Sequence, residues 1–432
     1  MSKVYVAMSA DVLHHGHINI IKEAQKYGEV VVGLHTDKVI ASYWHIPILT
    51  YQERYDIVSN IKGVSEVIMQ EELDQVPNLR RIRPEFVIHG DNWKHDSQKF
   101  LREKVIETLK EWGGTLIEIE RTTGSELVNL DDTLSQLGIT ADTRRAALRK
   151  LLSIKGHVKV MEAHNGLTGL IVEKTCQVQQ DASVNQFDAM WISSLCDSTS
   201  KGKPDIELVD WTSRINTINE ILEVTTKPVI VDGDTGGKIE HFVFVVRSLE
   251  RLGVSAIIIE DKVGLKKNSL FGTEAAQVQD EIEHFCQKIK AGKEAQVTAD
   301  FMIIARIESL ILKQGMDDAI KRARAYIESG ADGIMIHSID KSGEEIREFC
   351  KLYKEGELDA PLVVVPTAYN QIYEEELYEI GVNVVIYANH LLRAGYKAMK
   401  EVAESILTHH RSHDCNQNCL GIKEVITLID VV

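Results

Sequence analysis

The feature that most constrains this chain is a series of apolar segments of strand length in its C-terminal part. Eight such runs lie at 158–161, 187–192, 228–231, 254–259, 301–305, 333–336, 362–365 and 384–387. Helical stretches fill most of the gaps, including 239–252, 274–290, 316–330 and 343–354. Because strands of near-continuous apolar character that alternate with helices are buried on both faces, the pattern predicts a parallel (β/α)8 barrel. A doubly wound open sheet is the alternative.

Candidate functional residues lie at the ends of the predicted strands, where a barrel of this kind carries its functional groups. These candidates are Trp191, Ser193, Ser194, Leu195 and Asp205 near the second strand, Asp232 and Asp234 after the third, Glu260 after the fourth, Arg306 after the fifth and His337 after the sixth. Asp232 and Asp234 are two residues apart and can face the same centre. Hard oxygen ligands without clustered Cys or His favour Mg²⁺ or Mn²⁺.

The stretch from Glu260 to Ser269 leaves the fourth apolar run and becomes a polar, glycine-bearing loop. Its carboxylates suit a divalent cation, whereas Lys266, Asn268 and Ser269 suit a phosphoryl or carboxylate group. We interpret it as a mobile active-site lid. The alternative is an ordinary strand-to-helix loop with solvated charges.

The N-terminus reads as a βαβ unit, with strands at 4–8 and 30–34 and, between them, helical periodicity at 18–27 in a helix that begins near Gly16. The first turn holds His14, Gly16 and His17. The backbone amides and dipole of a helix N-terminus favour phosphate there, and imidazoles can neutralise charge on a nucleoside triphosphate while pyrophosphate leaves. A solvated histidine turn is the alternative.

Composition limits the partners and the compartment. The chain has 432 residues, which predicts two or three domains, and its net charge of -16 disfavours nucleic acid and anionic membranes. Its six cysteines show no framework spacing, no apolar run approaches the roughly 20 residues of a membrane span, and the N-terminus does not resemble a signal peptide. We therefore expect a cytoplasmic protein.

The segment around residues 129–140 is polar and lacks periodicity, so we place a linker there, with a brief helix at 134–137. The predicted domains are residues 1–130, a linker at 131–142, and residues 143–432. The second domain opens with a basic amphipathic helix from Thr143, whose basic face we expect to be solvated.

The first domain resembles the cytidylyltransferase branch of the nucleotidyltransferase superfamily. The resemblance is carried, in order, by the His-x-Gly-His turn, Gln52–Arg54, Gly63–Ile68, Gly90–Trp93 and Arg121–Gly124. It implies a Rossmann-like domain with CTP as co-substrate. His14, Gly16 and His17 would contact the triphosphate, Asp91 and Trp93 would help to hold acceptor and nucleotide, and Arg121 and Thr122 would close over the phosphates.

Two departures from that branch keep an alternative open. Residues 125–128 read Ser-Glu-Leu-Val where the family usually has Ile-Ser-Thr-Thr, and residues 41–45 replace a lysine-bearing loop. The alternative is a non-catalytic nucleotide-binding or assembly domain.

The second domain resembles the phosphoenolpyruvate mutases of the isocitrate lyase superfamily. The matching motifs are Glu162–Gly166, Trp191–Leu195, Gly202–Asp205, Asp232-x-Asp234, Glu260–Ser269, Arg306-x-Glu308 and His337. The resemblance implies isomerisation of phosphoenolpyruvate to phosphonopyruvate. Asp232 would bind the metal, with its waters ordered by Asp205, Asp234 and Glu260, and amides around Ser193 to Leu195 would receive the carboxylate beside Trp191. Arg306, His337, Lys266, Asn268 and Ser269 would hold the phosphoryl group.

The lid also narrows the chemistry. Carbon–carbon lyases of this superfamily carry a catalytic cysteine in the corresponding loop, and the stretch from Glu260 to Ser269 contains none. A phosphonopyruvate hydrolase is therefore the nearest enzymatic competitor. The order of the two domains resembles that of the bifunctional enzymes of fosfomycin biosynthesis, which implies CMP transfer to a phosphonate such as 2-hydroxyethylphosphonate. We also expect a homo-oligomer, a dimer or tetramer, formed through the barrel.

Overall fold

A computed structural model describes residues 2–43, 45–94, 99–120, 140–179, 184–264, 266–269 and 276–429. The chain forms a five-stranded parallel sheet followed by a closed barrel of eight parallel strands. The predicted fold class is confirmed. No helix in these ranges combines the length and the apolar character needed to cross a bilayer.

The N-terminal sheet has the spatial order β3-β2-β1-β4-β5. Its strands are β1 (Lys3–Met8), β2 (Glu29–His35), β3 (Val64–Gln70), β4 (Phe86–Gly90) and β5 (Thr115–Ile119). Its helices are α1 (His15–Ala24), α2 (Asp37–Tyr43), α3 (Tyr51–Ser59), α4 (Val76–Ile82) and α5 (Lys99–Lys110), with a 3-10 turn at Asp91–Lys94. The strand order reverses between β1 and β4, and in such sheets a ligand binds beyond the carboxyl ends of the strands at this point.

Helix α1 begins at His15, next to the start near Gly16 that the sequence predicts. The reason is local capping, because His14 adopts an extended backbone and its Nδ1 accepts the amide of Gly16 at 3.0 Å. The predicted strands on either side are confirmed as β1 and β2.

All eight apolar runs become barrel strands. They are β6 (Val158–Glu162), β9 (Ala189–Ile192), β10 (Val229–Asp232), β11 (Ala256–Glu260), β14 (Met302–Ile307), β15 (Gly333–Ile336), β16 (Leu362–Val364) and β17 (Val384–Tyr387). The pairing of β17 with β6, in which Val384 faces Val158, closes the barrel and excludes the open-sheet alternative. Two short hairpins are formed by β7 (Cys176–Val178) with β8 (Val184–Gln186) and by β12 (Lys262–Val263) with β13 (Val278–Gln279).

Helices surround the barrel. They are α6 (Ala141–Lys155), α7 (Gly166–Lys174), α8 (Ser194–Ser200), α9 (Trp211–Leu222), α10 (Ile239–Leu252), α11 (Ile282–Ala295), α12 (Met316–Glu328), α13 (Glu344–Glu355), α14 (Glu374–Glu379), α15 (His390–His409) and α16 (Ile422–Ile426), with a 3-10 turn at His413–Asn418. The helix predicted from residue 274 starts only at Ile282, because Val278 and Gln279 pair with Val263 and Lys262 at the base of the lid.

Helix α6 crosses the N-terminal ends of the barrel strands, and its basic residues are not solvated as predicted. Arg144 and Arg145 are buried, and they donate to the carbonyls of Thr225 at 2.9 Å and Glu250 at 2.9 Å. Burial of these guanidinium groups is tolerated here because each donates to a backbone carbonyl. The basic face is therefore part of the packing between helix and barrel.

The same helix contacts the N-terminal domain. The Lys150 ammonium donates to the Pro47 carbonyl and, at 3.3 Å, to that of Ile48, while Ile46 packs against the apolar core inside the barrel. The N-terminal domain thus lies at the end of the barrel opposite to the carboxyl ends of its strands. Most of the predicted linker, residues 131–139, and the helix predicted at 134–137 lie outside the described residues.

Candidate functional site

A cavity of about 60 Å³ lies at the carboxyl ends of the barrel strands. It is lined by eleven of the thirteen residues predicted for this site, namely Trp191, Ser193, Ser194, Leu195, Asp205, Asp232, Lys266, Asn268, Ser269, Arg306 and His337. The other two, Asp234 and Glu260, are buried just behind this lining. The lid residues Lys266 and Ser269 are themselves buried, so the lid is closed over the cavity.

Asp232 and Asp234 form one wall, and the backbone between them is tightly constrained. The Asp234 amide donates to Asp232 Oδ1 at 3.1 Å, and Asp234 has a left-handed φ of 53°. A Cβ on Gly233 would lie 2.8 Å from the side chains of Ile257 and Ile259. Strained backbone of this kind persists where the surrounding structure over-determines it, often at functional sites. Here it directs two carboxylates toward one centre.

The Lys266 ammonium lies among these carboxylates. It donates to Ser194 Oγ at 2.6 Å, to Asp205 Oδ1 at 3.0 Å and to Asp234 Oδ1. Burial alone lowers the pKa of Lys266, but Asp234, Asp232, Glu260 and Asp205 outweigh it and raise that pKa, so the lysine is charged. The lid lysine predicted to hold a phosphoryl group is thus bound to the predicted metal ligands.

Ser194 lines the cavity and is hydrogen-bonded to Asp232. Its amide and hydroxyl donate to Asp232 Oδ2 at 3.2 and 2.8 Å. The amides around Ser193 to Leu195 were predicted to receive a substrate carboxylate, and in this arrangement the Ser194 amide already has an acceptor. The reason is that Ser193 caps helix α8 and directs the following amide toward the end of the neighbouring strand β10.

Arg214, a residue that the sequence did not reveal, balances the charge of this wall. Its Nη1 donates to Asp234 Oδ2 at 2.8 Å, and its Nη2 donates to the Asp232 carbonyl. Burial by itself would raise the pKa of Asp232, but Lys266, Arg306 and Arg214 lower it to about 2. Arg214 lies in the first turn of helix α9, away from any strand end, so no local signal pointed to it.

Glu260 differs from the other carboxylates. Neither of its oxygens accepts a hydrogen bond, although Lys262 and Arg306 form ion pairs with them at 3.2 and 3.3 Å. Burial raises the pKa of Glu260 to about 7 against the effect of Arg306 and Lys262. Buried carboxylate oxygens without donors have unused capacity for a cation or its bound water.

The opposite wall is a cationic cluster around Ser269. Arg306 donates to Ser269 Oγ at 2.6 Å and to Glu308 Oε1 at 2.6 Å, and Ser269 donates to Glu308 Oε2. Burial disfavours the charged form of Arg306, but Glu308, Glu260 and Asp232 raise its pKa. The guanidinium therefore stays charged at the edge of the cavity, where it can bind an anionic group.

His337 presents a neutral ring to the cavity. Arg306 Nη2 lies 2.8 Å and Glu308 Oε1 lies 3.1 Å from His337 Nδ1, so a donor and an acceptor both face this ring nitrogen. Burial, reinforced by Arg306, lowers the pKa of His337. A neutral ring at this position can contact an anionic oxygen without adding a second full positive charge beside Arg306.

Lys262 holds the lid closed, and the sequence did not identify it. Its ammonium donates to the Lys267 carbonyl at 3.1 Å, to Ser269 Oγ at 2.9 Å and to Gln277 Oε1 at 2.9 Å. It also forms ion pairs with Glu260 and Glu308. The signal available was its place directly after two carboxylates at a strand end. Thr367 and Asn389, which line the cavity beyond strands β16 and β17, were also missed.

The carboxylate wall fits a divalent cation by its chemistry. Among the described residues, no three His, Cys, Asp or Glu side chains are arranged so as to hold a metal ion. The physical reason is that Lys266 and Arg214 separate the carboxylates, since each bonds Asp234. Hard oxygen donors that already bind an ammonium, together with the donor-less Glu260, match the ligand preference of Mg²⁺.

In the N-terminal domain, the turn after β1 is organised by two imidazoles. His14 Nδ1 accepts the Gly16 amide, and His17 Nδ1 accepts the His14 amide at 3.4 Å, with the two rings 4.2 Å apart. Both rings therefore carry their proton on Nε2. Burial, and then His14, lower the pKa of His17 to about 4, so its ring is neutral at neutral pH. The pair offers neutral donors at a helix N-terminus.

The turn after β4 lies at the same carboxyl edge of the sheet as the turn after β1. Asp91 begins the 3-10 turn that follows β4, next to the point where the strand order reverses. Trp93 is buried, stacks on His89 at 3.7 Å and donates to Glu118 Oε1 at 2.8 Å. Because its indole N–H is used and its ring lies in the core, Trp93 supports this turn from inside. Arg121 and Thr122 lie outside the described residues.

Asp11, another residue that the sequence did not reveal, joins the first turn to the loop at 45–49. Its carboxylate accepts the amides of Ile48 at 2.8 Å and Leu49 at 2.9 Å and contacts His45 Nε2 at 2.8 Å. The carbonyls of Pro47 and Ile48 in this loop bind Lys150 of the barrel domain.

Comparison with known proteins matches this architecture. Residues 148–407 match the family described as phosphoenolpyruvate phosphomutase, and residues 9–123 match the cytidylyltransferase-like family. A phosphoenolpyruvate phosphomutase of Tetrahymena pyriformis is 34% identical over 290 residues, which are 67% of this chain and 92% of that protein.

Two solved structures are also similar. The phosphoenolpyruvate phosphomutase from Streptomyces platensis subsp. rosaceus is 35% identical with a TM-score of 0.60, over 66% of this chain and 94% of that one. A phosphonopyruvate hydrolase in complex with oxalate and Mg²⁺ is 33% identical with a TM-score of 0.58, over 66% and 94%. The chain belongs to the phosphoenolpyruvate phosphomutase family, with a cytidylyltransferase-like domain in front of the barrel.

Proposed function

We propose that the barrel isomerises phosphoenolpyruvate to 3-phosphonopyruvate. The observation that carries the proposal is the division of one closed cavity into a carboxylate wall, with Asp232, and a cationic wall, with Arg306 and His337. In this reaction the phosphorus–oxygen bond breaks, and the same phosphoryl group then bonds the methylene carbon of the pyruvate enolate. Both the enolate and the phosphoryl group carry negative charge, so each needs preorganised positive groups.

The residues of the two walls divide this work. Arg306 and His337 hold phosphoryl oxygens through the transfer, with Asn268 and Ser269 placed over them by the lid. Mg²⁺, bound through Asp232 with Asp205, Asp234 and Glu260 around its waters, would supply positive charge to the enolate and carboxylate oxygens. The closed lid keeps water from the phosphoryl group, which would otherwise be hydrolysed.

A 31P NMR experiment tests this proposal. The purified chain is incubated with Mg²⁺ and phosphonopyruvate, since family equilibria favour phosphoenolpyruvate, and we expect the phosphoenolpyruvate resonance to grow. The Asp232→Asn variant should abolish the conversion. Growth of inorganic phosphate together with pyruvate, in place of phosphoenolpyruvate, would identify a hydrolase and refute the mutase.

We also propose that the N-terminal domain transfers CMP from CTP to a phosphonate, for which 2-hydroxyethylphosphonate is the first candidate. The acceptor oxygen attacks the α-phosphorus of CTP, and pyrophosphate leaves. The support lies in the paired imidazoles at the N-terminus of α1, which offer Nε2–H donors to phosphate oxygens at the reversal point of the sheet.

An acceptor screen separates this activity from a non-catalytic domain. The full chain, carrying Asp232→Asn to silence the barrel, is mixed with CTP, Mg²⁺ and a panel of phosphonates, and pyrophosphate is measured. Release that depends on one acceptor and is lost in His17→Asn supports transfer. No release with any acceptor, while CTP still binds, supports the non-catalytic alternative.

We propose, further, that the barrel domain self-associates. Helix α15 contains no buried residue over its 20 residues and exposes Tyr396, Met399, Ile406 and Leu407 on one face. Helix α7 exposes Leu167 and Ile171, and helix α16 exposes Ile422 and Ile426. Apolar surface of this extent on a soluble chain marks an interface. Light scattering after size exclusion should give the molar mass of a dimer or tetramer. The double variant Met399→Glu, Leu407→Glu should lower that mass, and a monomeric wild type would contradict the proposal.

A further inference from the structure

The Lys266 ammonium and a divalent cation require the same carboxylates. Lys266 bonds Asp205 and Asp234, and through Ser194 Oγ it is joined to Asp232. The lysine is nearly inaccessible, with 5% of its surface exposed. A dication placed among these oxygens would repel the ammonium at close range, in surroundings where charge is poorly screened. The two cations therefore exclude each other.

The sequence predicts that Lys266 binds the phosphoryl group, whereas the structure shows it bound to carboxylates, and the lysine cannot do both at once. A group that holds phosphoryl oxygens cannot at the same moment neutralise Asp205 and Asp234. The lid keeps Lys266 close to the carboxylates and to the phosphoryl side of the cavity. Asn268 of the same loop also contacts the carboxylate wall, since its amide donates to Asp205 Oδ2 at 3.1 Å. Loss of the carboxylate partners would leave the ammonium free to bind the next nearest anion in the cavity.

We infer that Lys266 is the resident counter-cation of the carboxylate wall and that binding of the divalent metal displaces it toward the phosphoryl side. Removing the ammonium therefore tightens metal binding, because the metal no longer competes with it. The lid lysine becomes available for substrate only after metal has entered, so metal binds before the lid adopts its productive position. This inference rests on the proposed metal role of the barrel site.

The chain offers a matched control. Lys267 is the next residue of the lid, and its carbonyl accepts a bond from Lys262, so its backbone is held in the same closed loop. Lys267→Met changes the net charge by the same amount as Lys266→Met. Only Lys266 places its ammonium on Asp205 and Asp234. A general electrostatic effect would shift both variants alike.

The test measures Mn²⁺ binding by electron paramagnetic resonance on the full chain without substrate. We expect Lys266→Met to bind Mn²⁺ more than tenfold tighter than the wild type and Lys267→Met to stay within about threefold of it, with Asp232→Asn abolishing binding in all forms. An unchanged or weaker affinity in Lys266→Met, or an equal gain in Lys267→Met, overturns the inference while the wild-type metal site stands. Absence of binding in every form overturns both the inference and the proposed metal role. Circular dichroism confirms that each variant is folded.

Discussion

The two domains handle phosphate chemistry with different means. The barrel cavity is built from full charges that compensate each other, with Lys266, Arg306 and Arg214 against Asp232, Asp234 and Glu308. The candidate site of the N-terminal domain, at the start of helix α1, is built from backbone amides and imidazoles such as His17, which burial keeps neutral. A site of paired charges is stable without ligand and must exchange partners on binding. A site of neutral donors has no ion pairs to break when it binds a ligand, so the negative charge of the bound state comes from the ligand alone.

The largest effect should come from removing one member of the charged pairs. Arg306→Met leaves Glu308 and Glu260 buried without their main cation, and a broken buried pair costs roughly 3–5 kcal/mol. We expect isomerisation to fall by at least about a thousandfold and the melting temperature to drop. Steady-state kinetics and calorimetry measure both. Arg306→Lys should recover part of the stability, and equal stability in the Met variant would show that the charges are not coupled.

A change in the neutral site should be confined to its own domain. His17→Ala removes one Nε2–H donor, so we expect CMP transfer to fall by roughly a hundredfold or more. Because the N-terminal domain lies at the other end of the barrel, isomerisation by the same variant should be unchanged. Assaying both reactions on one preparation checks this. A parallel fall in isomerisation would indicate that the domains communicate, with Asp11 and Lys150 as the first residues to examine.

A smaller effect is expected at Lys262, which binds both arms of the lid. Lys262→Met removes its bonds to the Lys267 carbonyl, Ser269 and Gln277, so the lid should open more often. We expect a loss of roughly ten- to a hundredfold in kcat/KM, together with some release of phosphate as water enters. The ratio of phosphate to phosphoenolpyruvate in 31P spectra measures this leak. Lys262→Arg is the control that keeps the charge, and an unchanged ratio in the Met variant would place water exclusion elsewhere.

The smallest effect concerns acid, and it has opposite signs in the two regions. Burial, and then Arg54, lower the pKa of His35 to about 3, below its value near 6.5 in an unfolded chain. The unfolded state therefore binds the proton more tightly, and the free energy of unfolding falls as the pH drops from about 6.5 toward 3. Burial raises the pKa of Asp261 in the barrel to about 7, above its unfolded value near 3.9, so the folded state takes up the proton first and stability rises as pH falls from about 7 toward 4.

Hydrogen exchange measures this difference on the metal-free chain. Between pH 7 and pH 5.5 the N-terminal strands should lose about 1 kcal/mol of protection, after correction for intrinsic rates, while the barrel strands should not. Equal losses in β2 and β11 would contradict the assignment. His35 is the last residue of β2 and Asp261 directly follows β11, so different peptides report on the two residues.

Sequence alone was sufficient for the architecture and for most of the residues around the cavity. The eight apolar runs specify the eight strands because burial on both faces leaves a local, readable pattern, and the barrel then places every strand end at one rim. Asp232, Arg306 and His337 could therefore be assigned to one site from their positions after apolar runs. The resemblance of motifs to a known family supplied their roles.

Tertiary structure alone decided how charges are paired. Arg214 is bound to Asp234 from 20 residues away, and Lys266 to Ser194 from 72, distances at which periodicity carries no information. It also decided that Arg144 and Arg145 are buried and that Trp93 belongs to the core, because these outcomes depend on which carbonyls and carboxylates the packing brings near. The sequence determines where polar groups emerge from the strands, and the packing of distant segments determines which of them neutralise each other.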